Sequence, residues 1–273
     1  MTILSWRSWL GCGVMAVLIG LTAVAETRGQ TDQPASQGEA AVEAPAVETS
    51  AAQANGGEDE DDVDETPVEA PATEVPTVRV ALVGSTFIER EQQYGYWETW
   101  LAASQPEQRF IVRNLGWSGD NVQGESRAGF GKPRDGYDKL IEQVRSARPD
   151  VVFVAYGTNA SFEGAQGLSA FRSGLDQLLR DLRATGARLV LVSPPPFEDA
   201  GVPGVDILAR NADLALYAAA IREAADDWEA EHIDLFGGLA SAISPGGRRL
   251  TDNGMHLSAY GYWLAAPLMD APL

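Results

Sequence analysis

Four short polar stretches of the sequence carry side chains suited to acyl transfer, and three of them follow predicted strands. A hydroxyl at a strand-to-helix turn can act as a nucleophile, and Thr86 stands at such a turn. The backbone amide of Gly119 and the side-chain amide of Asn159 can donate hydrogen bonds to a developing oxyanion. In a turn near the C-terminus, His256 can take the proton from the nucleophile.

A carboxylate or amide shortly before a histidine can fix which ring nitrogen carries the proton. Both Asp252 and Asn253 stand in that position, and the sequence leaves the choice between them open. The alternative interpretation is that His256 only caps the helix that follows it. The other histidine, His232, precedes a short predicted strand and is interpreted as a structural residue.

The elements that must position these residues alternate between apolar runs and segments of helical periodicity. Continuous apolar strands suit a parallel sheet that is covered on both faces. The alternation predicts one α/β domain, a three-layer α/β/α sandwich with a five-stranded parallel sheet, whose ligands bind beyond the carboxyl ends of the strands. Strands are expected at 78–83, 110–114, 151–155, 189–192 and 233–235, and helices at 96–104, 136–147, 168–185 (with Gly186 as its cap), 212–231 and 259–269.

The N-terminal part of the chain has the composition of targeting and linker sequence. Residues 1–25 combine a positive residue, an apolar run and small residues before a cleavage site, which predicts a signal peptide and export to the periplasm, cell surface or medium. An uncleaved anchor is the alternative; after cleavage no stable membrane span is expected. Residues 26–77 are acidic and poor in apolar side chains, which predicts a disordered linker before a domain at 78–273.

Charge and cysteine content exclude several classes of function. The net charge of −19 argues against binding to nucleic acid and to anionic lipid surfaces. The single cysteine, Cys12, lies in the predicted leader, so cysteine catalysis and cysteine-based zinc sites are not expected in the mature protein.

From Val78 to the C-terminus the sequence resembles the GDSL, or SGNH, hydrolase superfamily. The four motif blocks of that family correspond, in order, to Gly84-Ser85-Thr86, Ser118-Gly119-Asp120, Gly157-Thr158-Asn159 and Asn253-Gly254-Met255-His256. The resemblance implies a flavodoxin-like fold and ester hydrolysis through an acyl-enzyme, without a metal or other cofactor. It also implies Thr86 as nucleophile, Gly119 and Asn159 at the oxyanion, and His256 as base.

Two positions depart from the family pattern. Thr86 replaces serine, and its extra methyl group restricts the side chain; Ser85 is one residue out of register. Asn253 replaces aspartate, which favours the wrong histidine tautomer. We therefore expect an exported esterase for a small acyl or acetyl group, including one carried on a carbohydrate. The alternative is a catalytically weak relative that binds a glycan or a cell-surface partner in the same cleft.

Three further residues near the motifs have open roles. Glu89 and Arg90 are interpreted as an ion pair at the start of a helix, although Arg90 could also contact substrate. Trp117 lies beside the predicted oxyanion glycine, where it either packs or stacks against a sugar or acyl group.

Overall fold

The computed structural model of the chain describes residues 75–244 and 246–270, which contain a five-stranded sheet with helices on both faces. Every neighbouring pair of strands is parallel, and the order is β2-β1-β3-β4-β5. The predicted α/β class and five-stranded parallel sheet are confirmed. The strands are β1 (Thr77–Gly84), β2 (Arg109–Asn114), β3 (Val151–Ala155), β4 (Arg188–Val192) and β5 (Glu231–Ile233).

Helices connect and cover the strands: α1 (Thr86–Glu91), α2 (Tyr96–Ser104), α3 (Pro133–Ala147), α4 (Gly164–Arg183), α5 (Ile207–Asp227), α6 (Leu235–Ala240) and α7 (Ala259–Leu268). The short helix α6 was not predicted, and a helix was expected after the turn at Thr86 but without bounds. Helix α5 begins earlier than expected because the carboxylate of Asp206 caps it, accepting the backbone N–H of Ala209 at 3.0 Å. Gly186 is not the cap of α4, which ends at Arg183; it follows in a left-handed turn with φ +84°.

Alternation along the strands divides the core into two layers. On one face, side chains such as Ala81, Val83 and Val152 pack against α3, α4 and α5. On the other face, Leu82 and Phe153 pack with α1, α2, α6 and α7. Both faces of the central strands are therefore buried, which explains why these strands are apolar along their whole length.

The order of the strands places a topological switch point between β1 and β3. The chain leaves β1 toward β2 on one side and returns to β3 on the other, so the loops after β1 and β3 diverge and leave a crevice at their carboxyl ends. Helix α1 starts on one side of this crevice, and the turn before α7 closes it.

Two parts of the sequence-based prediction concern the N-terminal residues. The predicted signal peptide (1–25) and nearly all of the predicted linker (26–77) lie outside the described residues; Thr77 already belongs to β1. Within the described ranges, none of the helices has the length and apolar character needed to cross a membrane.

Helix α1 ends on a buried carboxylate that makes stability depend on pH. Glu91 is 2% exposed; one of its oxygens accepts the backbone N–H of Trp97 at 3.1 Å, and the other has no hydrogen-bond partner. Burial raises the pKa of Glu91 from 4.5 to about 7; the bond from Trp97 opposes this rise and the charge of Glu98 adds to it.

We expect this group to lower the free energy of unfolding as pH rises from about 4.5 through about 7. The folded state binds more protons than the unfolded state in this interval, so wild type should lose about 2 kcal/mol between pH 5 and pH 8 through Glu91 alone. Glu91→Gln should remove that loss, whereas the exposed Glu107→Gln should keep it. Urea denaturation at both pH values measures the free energy of unfolding. If this free energy changed equally with pH in wild type and in Glu91→Gln, the assignment of the pH dependence to Glu91 would be contradicted.

Candidate active site

The carboxyl ends of β1 and β3 and the turn before α7 line one cleft. Thr86 is the first residue of α1, Asn159 follows β3, and His256 belongs to the turn before α7. The structure therefore brings together three side chains predicted as nucleophile, oxyanion donor and base. The remaining wall residues are Ser85, Phe87, Arg90, Thr158, Pro195, Met255, Leu257 and Tyr262.

The loop after β2 brings the Gly119 amide onto the hydroxyl of Thr86. The backbone N–H of Gly119 donates to Thr86 Oγ1 at 3.1 Å. Gly119 has φ +73°, a left-handed conformation that favours glycine, and its carbonyl accepts the hydroxyl of Ser126 at 2.8 Å. Asn159 Nδ2 donates to the carbonyl of Asp120 at 2.9 Å. The Gly119 amide thus contacts the hydroxyl, and the Asn159 amide lies in the same cleft; amide donors placed in this way can stabilise an oxyanion.

A buried ion pair holds this loop in place. Asp120 and Arg127 have side chains 0% and 3% exposed, and Asp120 Oδ2 accepts Arg127 Nε at 2.6 Å. Tyr156 also donates to Asp120 Oδ2, at 3.2 Å, and burial followed by the charge of Asp120 raises the pKa of Tyr156, which stays a neutral donor. Arg127 donates further to the carbonyl of Leu115. This charged network therefore holds in place the loop after β2 that carries Gly119.

Removing the positive partner of this pair is expected to destabilise the fold strongly. Arg127→Ala would leave Asp120 buried and unpaired, which typically costs about 3–5 kcal/mol. The matched control is Arg180→Ala, which breaks the surface pair of Arg180 with Asp176, for which at most about 1 kcal/mol is expected. Urea denaturation curves compare the two variants. Equal small losses would contradict the structural role of Arg127.

Asn253 is the residue that contacts the ring of His256. Its Nδ2 lies 3.2 Å from His256 Nδ1. Its Oδ1 accepts the backbone N–H groups of Met255 and His256 at 3.1 and 2.9 Å. Because the oxygen is occupied by two backbone donors, the NH₂ group must face the ring.

This contact sets the tautomer of His256. The amide of Asn253 donates, so Nδ1 must accept, and the proton of the neutral ring lies on Nε2. Burial lowers the pKa of His256, the nearby Arg90 lowers it further, and Asp252 opposes both, so the ring is neutral at pH 7. A general base needs its lone pair on Nε2, the nitrogen that faces the nucleophile in acyl transfer. In this tautomer the ring cannot accept a proton there.

No hydrogen bond joins Thr86 to His256 among the residues that the structure describes. The hydroxyl of Thr86 instead accepts the Gly119 N–H. The two side chains share the cleft, but their proton-transfer contact is not formed.

Asp252, the other residue proposed to orient the ring, is held elsewhere. Its carboxylate pairs with Arg90 at 2.6 Å, while its backbone N–H donates to the carbonyl of His256 at 2.9 Å. The predicted Glu89–Arg90 ion pair is wrong, because Arg90 reaches across to Asp252 and Glu89 accepts the hydroxyl of Ser118. Arg90 nevertheless lines the cleft.

The turn that carries His256 is anchored by a buried glutamate that the sequence did not single out. Glu198 is 7% exposed and accepts both the backbone N–H and the hydroxyl of Thr251, at 2.9 and 2.6 Å. Its own N–H donates to the carbonyl of Gly254 at 2.9 Å. Gly254 has φ +90°, and a Cβ there would lie 2.7 Å from the Glu198 carbonyl oxygen. Close approach of the two loops therefore requires glycine at this position.

A polar groove leads away from the oxyanion side of the cleft. Trp117 stands in the loop after β2 that also carries Gly119. Its side chain is 48% exposed, and the guanidinium of Arg127 lies 5.8 Å from its ring centroid. His232 lies half-buried in β5 and is not among the residues that line the cleft. The groove is lined by Gly119, Asn121, Gln123, Glu125, Asn159, Ala160, Glu163, Gly167, Ala170 and Phe171.

The greater part of the sequence is similar to one family of hydrolases. Residues 80–264 match the model described as the GDSL-like lipase/acylhydrolase family. No protein with a curated functional description matches the chain.

Solved structures of esterases share the fold. An acetylxylan esterase from Geobacillus stearothermophilus is 17% identical, with 71% of this chain and 93% of that chain covered and a TM-score of 0.54. The acetyl xylan esterase AlAXEase is 19% identical, with 70% and 98% covered and a TM-score of 0.55. A lipase/acylhydrolase from Enterococcus faecalis is 20% identical, with 70% and 93% covered and a TM-score of 0.52. At these identities the likeness concerns the fold.

Proposed function

Because this chain belongs to the GDSL-like lipase/acylhydrolase family, we propose that it hydrolyses carboxylic esters of small acyl groups, slowly, through an acyl-enzyme on Thr86. The observation that carries the proposal is the 3.1 Å hydrogen bond from the Gly119 amide to Thr86 Oγ1, in a cleft shared with Asn159 and His256. A hydroxyl, two oxyanion donors and an imidazole are the groups that acyl transfer requires.

The reaction would proceed in two steps that use the same residues. Thr86 Oγ1 attacks the acyl carbon and gives its proton to His256, while the N–H groups of Thr86 and Gly119 and the Asn159 amide hold the oxyanion. The carbon–oxygen bond to the alcohol then breaks, and the alcohol leaves with the proton from His256. Water repeats the sequence on the acyl-enzyme and releases a carboxylic acid.

Slow turnover follows from the contact between Asn253 and His256. Proton transfer from Thr86 requires the tautomer with the proton on Nδ1, and that tautomer loses the 3.2 Å bond donated by Asn253. An equivalent change from aspartate to asparagine costs a serine protease roughly 10⁴ in turnover. The same contact favours the second candidate function, a catalytically weak relative that binds a glycan or a cell-surface partner in this cleft.

A carbohydrate alcohol is the leaving group that the surroundings support best. The groove beside Gly119 offers an amide from Gln123 and a carboxylate from Glu163 that can bond sugar hydroxyls. The exposed ring of Trp117 adds a surface for stacking. Structural neighbours described as acetylxylan esterases agree with this choice.

We also propose that the protein is exported, on the basis of the leader pattern at residues 1–25. Fractionation of the cells that produce the protein tests this point: mature protein lacking the leader should appear outside the cytoplasm. Full-length protein confined to the cytoplasm would contradict it.

The proposed reaction is tested by acid release from p-nitrophenyl acetate and acetylated xylo-oligosaccharides, with wild type and His256→Ala side by side. We expect slow, enzyme-dependent release from wild type and a loss in His256→Ala. The residual rate of His256→Ala reports what the oxyanion donors contribute alone. No release from any ester, together with saturable binding of the oligosaccharide, would replace the esterase by the binding protein.

A further inference from the structure

A second cavity opens beside the catalytic cleft. Its volume is about 200 Å³, and its walls are mostly apolar. We call it the Phe197 pocket. It is lined by Phe162, Phe197, Glu198, Asp199, Ala200, Val202, Val205, Ile207, Arg210, Asn253, Gly254 and Met255.

The aromatic wall of the Phe197 pocket is held rigidly. Phe197 is 5% exposed, and its backbone is clamped by Asn211, which accepts its N–H at 2.8 Å and donates to its carbonyl at 2.9 Å. The rings of Phe162 and Phe197 lie 5.7 Å apart at an interplanar angle of 52°. Because this backbone is fixed on both of its polar groups, the pocket is preformed.

The pocket adjoins the catalytic cleft at the turn that carries His256. Met255 lies in the wall of both, and its neighbours Asn253 and Gly254 line the pocket while His256 lines the cleft. A group attached to a carbonyl carbon at Thr86 can therefore extend past Met255 into the pocket.

Apolar side chains at the mouth of the pocket face water. Phe162, Val202 and Val205 are 49%, 53% and 46% exposed. The only cation among the lining residues, Arg210, lies at the rim with its guanidinium 5.1 Å from the Phe162 ring centroid. An apolar occupant would bury this surface and would leave the charge of Arg210 at the edge.

Resting on the proposed esterase function, we propose that the Phe197 pocket binds the acyl group of the substrate and selects an apolar chain of about six carbons over acetyl. An apolar cavity of roughly 150 Å³ is sufficient to hold benzene, so the volume of this pocket fits a six-carbon group. Each additional methylene that is buried is worth about a four-fold gain in binding. Hexanoyl exceeds acetyl by four methylenes, which would give a gain of about 250-fold if all four were fully buried. Because the mouth of the pocket faces water, burial is incomplete, and the pocket favours hexanoyl over acetyl esters on the order of 10- to 100-fold in kcat/KM.

The test uses p-nitrophenyl acetate, butyrate, hexanoate and decanoate with the full chain, its Val205→Trp variant and its Leu208→Trp variant. The tryptophan at position 205 fills the pocket from an exposed position, whereas Leu208, 83% exposed, does not line it and serves as the matched control. We expect kcat/KM to peak at hexanoate in wild type and in Leu208→Trp. In Val205→Trp it should fall at least 10-fold for hexanoate and stay within about two-fold for acetate.

Two results would overturn the pocket assignment while leaving the esterase intact: acetate preferred over hexanoate in wild type, or an equal loss for both esters in Val205→Trp. If no ester is turned over, the esterase proposal fails. Saturation-transfer NMR with sodium hexanoate then tests whether the pocket binds an acyl chain independently of catalysis. Transfer to the terminal methyl group in wild type and Leu208→Trp, lost in Val205→Trp, supports an acyl-binding pocket. Absence of transfer in wild type overturns it.

Discussion

Replacing Asn253 by aspartate is expected to raise kcat for ester hydrolysis by about 10²- to 10⁴-fold. One carboxylate oxygen would keep the bonds from the N–H groups of Met255 and His256, now 3.1 and 2.9 Å long. The other oxygen would take the place of Nδ2, 3.2 Å from His256 Nδ1, and could only accept. The proton would then lie on Nδ1, and Nε2 would be free to take the proton of Thr86.

The same substitution changes the pH dependence. A carboxylate against the ring favours the protonated imidazole and raises the pKa of His256, which burial and Arg90 now lower. The acid limb of kcat/KM should therefore move to higher pH in Asn253→Asp. Asp252→Asn is the matched control, because Asp252 is engaged with Arg90, and only a small change is expected. Unchanged turnover in Asn253→Asp with abolished turnover in Asp252→Asn would make Asp252 the orienting residue instead.

Removal of the Thr86 hydroxyl is expected to have the second large effect. In the Asn253→Asp background, Thr86→Ala should lower kcat by roughly 10⁴-fold or more, because residues of a catalytic unit act together. In wild type the loss of kcat should be smaller, because the contact between Asn253 and His256 already lowers kcat. Thr86→Ser keeps the hydroxyl and removes the methyl group that crowds the attacking oxygen, so it should be faster than wild type by about ten-fold.

Intact mass after incubation with a fluorophosphonate identifies the nucleophile directly. An adduct is expected in wild type and Thr86→Ser, and its absence is expected in Thr86→Ala. Ser85→Ala is the control, because Ser85 is the preceding hydroxyl, buried at the start of α1. An adduct that survives Thr86→Ala and disappears in Ser85→Ala would move the nucleophile to Ser85.

The sheet and the placement of the motifs were predictable from sequence for a physical reason. Strands covered on both faces must be apolar throughout, so runs such as Val151–Ala155 are visible without any alignment. Polar residues after such runs must meet at the carboxyl edge of a parallel sheet, which is where Thr86 and Asn159 lie.

Contacts between distant loops could not be predicted in this way. Nothing in the spacing of Asp120 and Arg127 indicates that they form a buried pair, because Asp120 stands in an irregular segment and Arg127 in a single 3₁₀ turn, Glu125–Ala128. The choice between Asp252 and Asn253 depended on Arg90, 162 positions away from Asp252, which takes the carboxylate out of reach of the ring. The Asp206 cap, by contrast, is a local signal in the sequence, because aspartate is a favoured residue immediately before a helix.

The walls of the Phe197 pocket come from segments with no regular period. Phe197, Val202 and Val205 lie in a loop after β4 that has no strand or helix, so their spacing carries no information about which face they share. Asn211 ties this loop to α5, and the bonds of Glu198 to Gly254 and Thr251 hold it beside the His256 turn. The proposed acyl pocket thus depends on tertiary contacts, whereas the proposed catalytic residues stand in local motifs.

The tautomer of His256 decides whether Nε2 can accept the proton of Thr86. Ring-nitrogen NMR measures this tautomer most directly. In ¹⁵N-labelled protein, above the pKa of the ring, long-range ¹H–¹⁵N correlations distinguish protonated from unprotonated ring nitrogens, and a His232→Gln variant assigns the two histidines. We expect a proton on Nε2 in wild type and on Nδ1 in Asn253→Asp. A wild-type ring with its proton on Nδ1 would contradict this expectation, and Asn253 would then be no obstacle to catalysis.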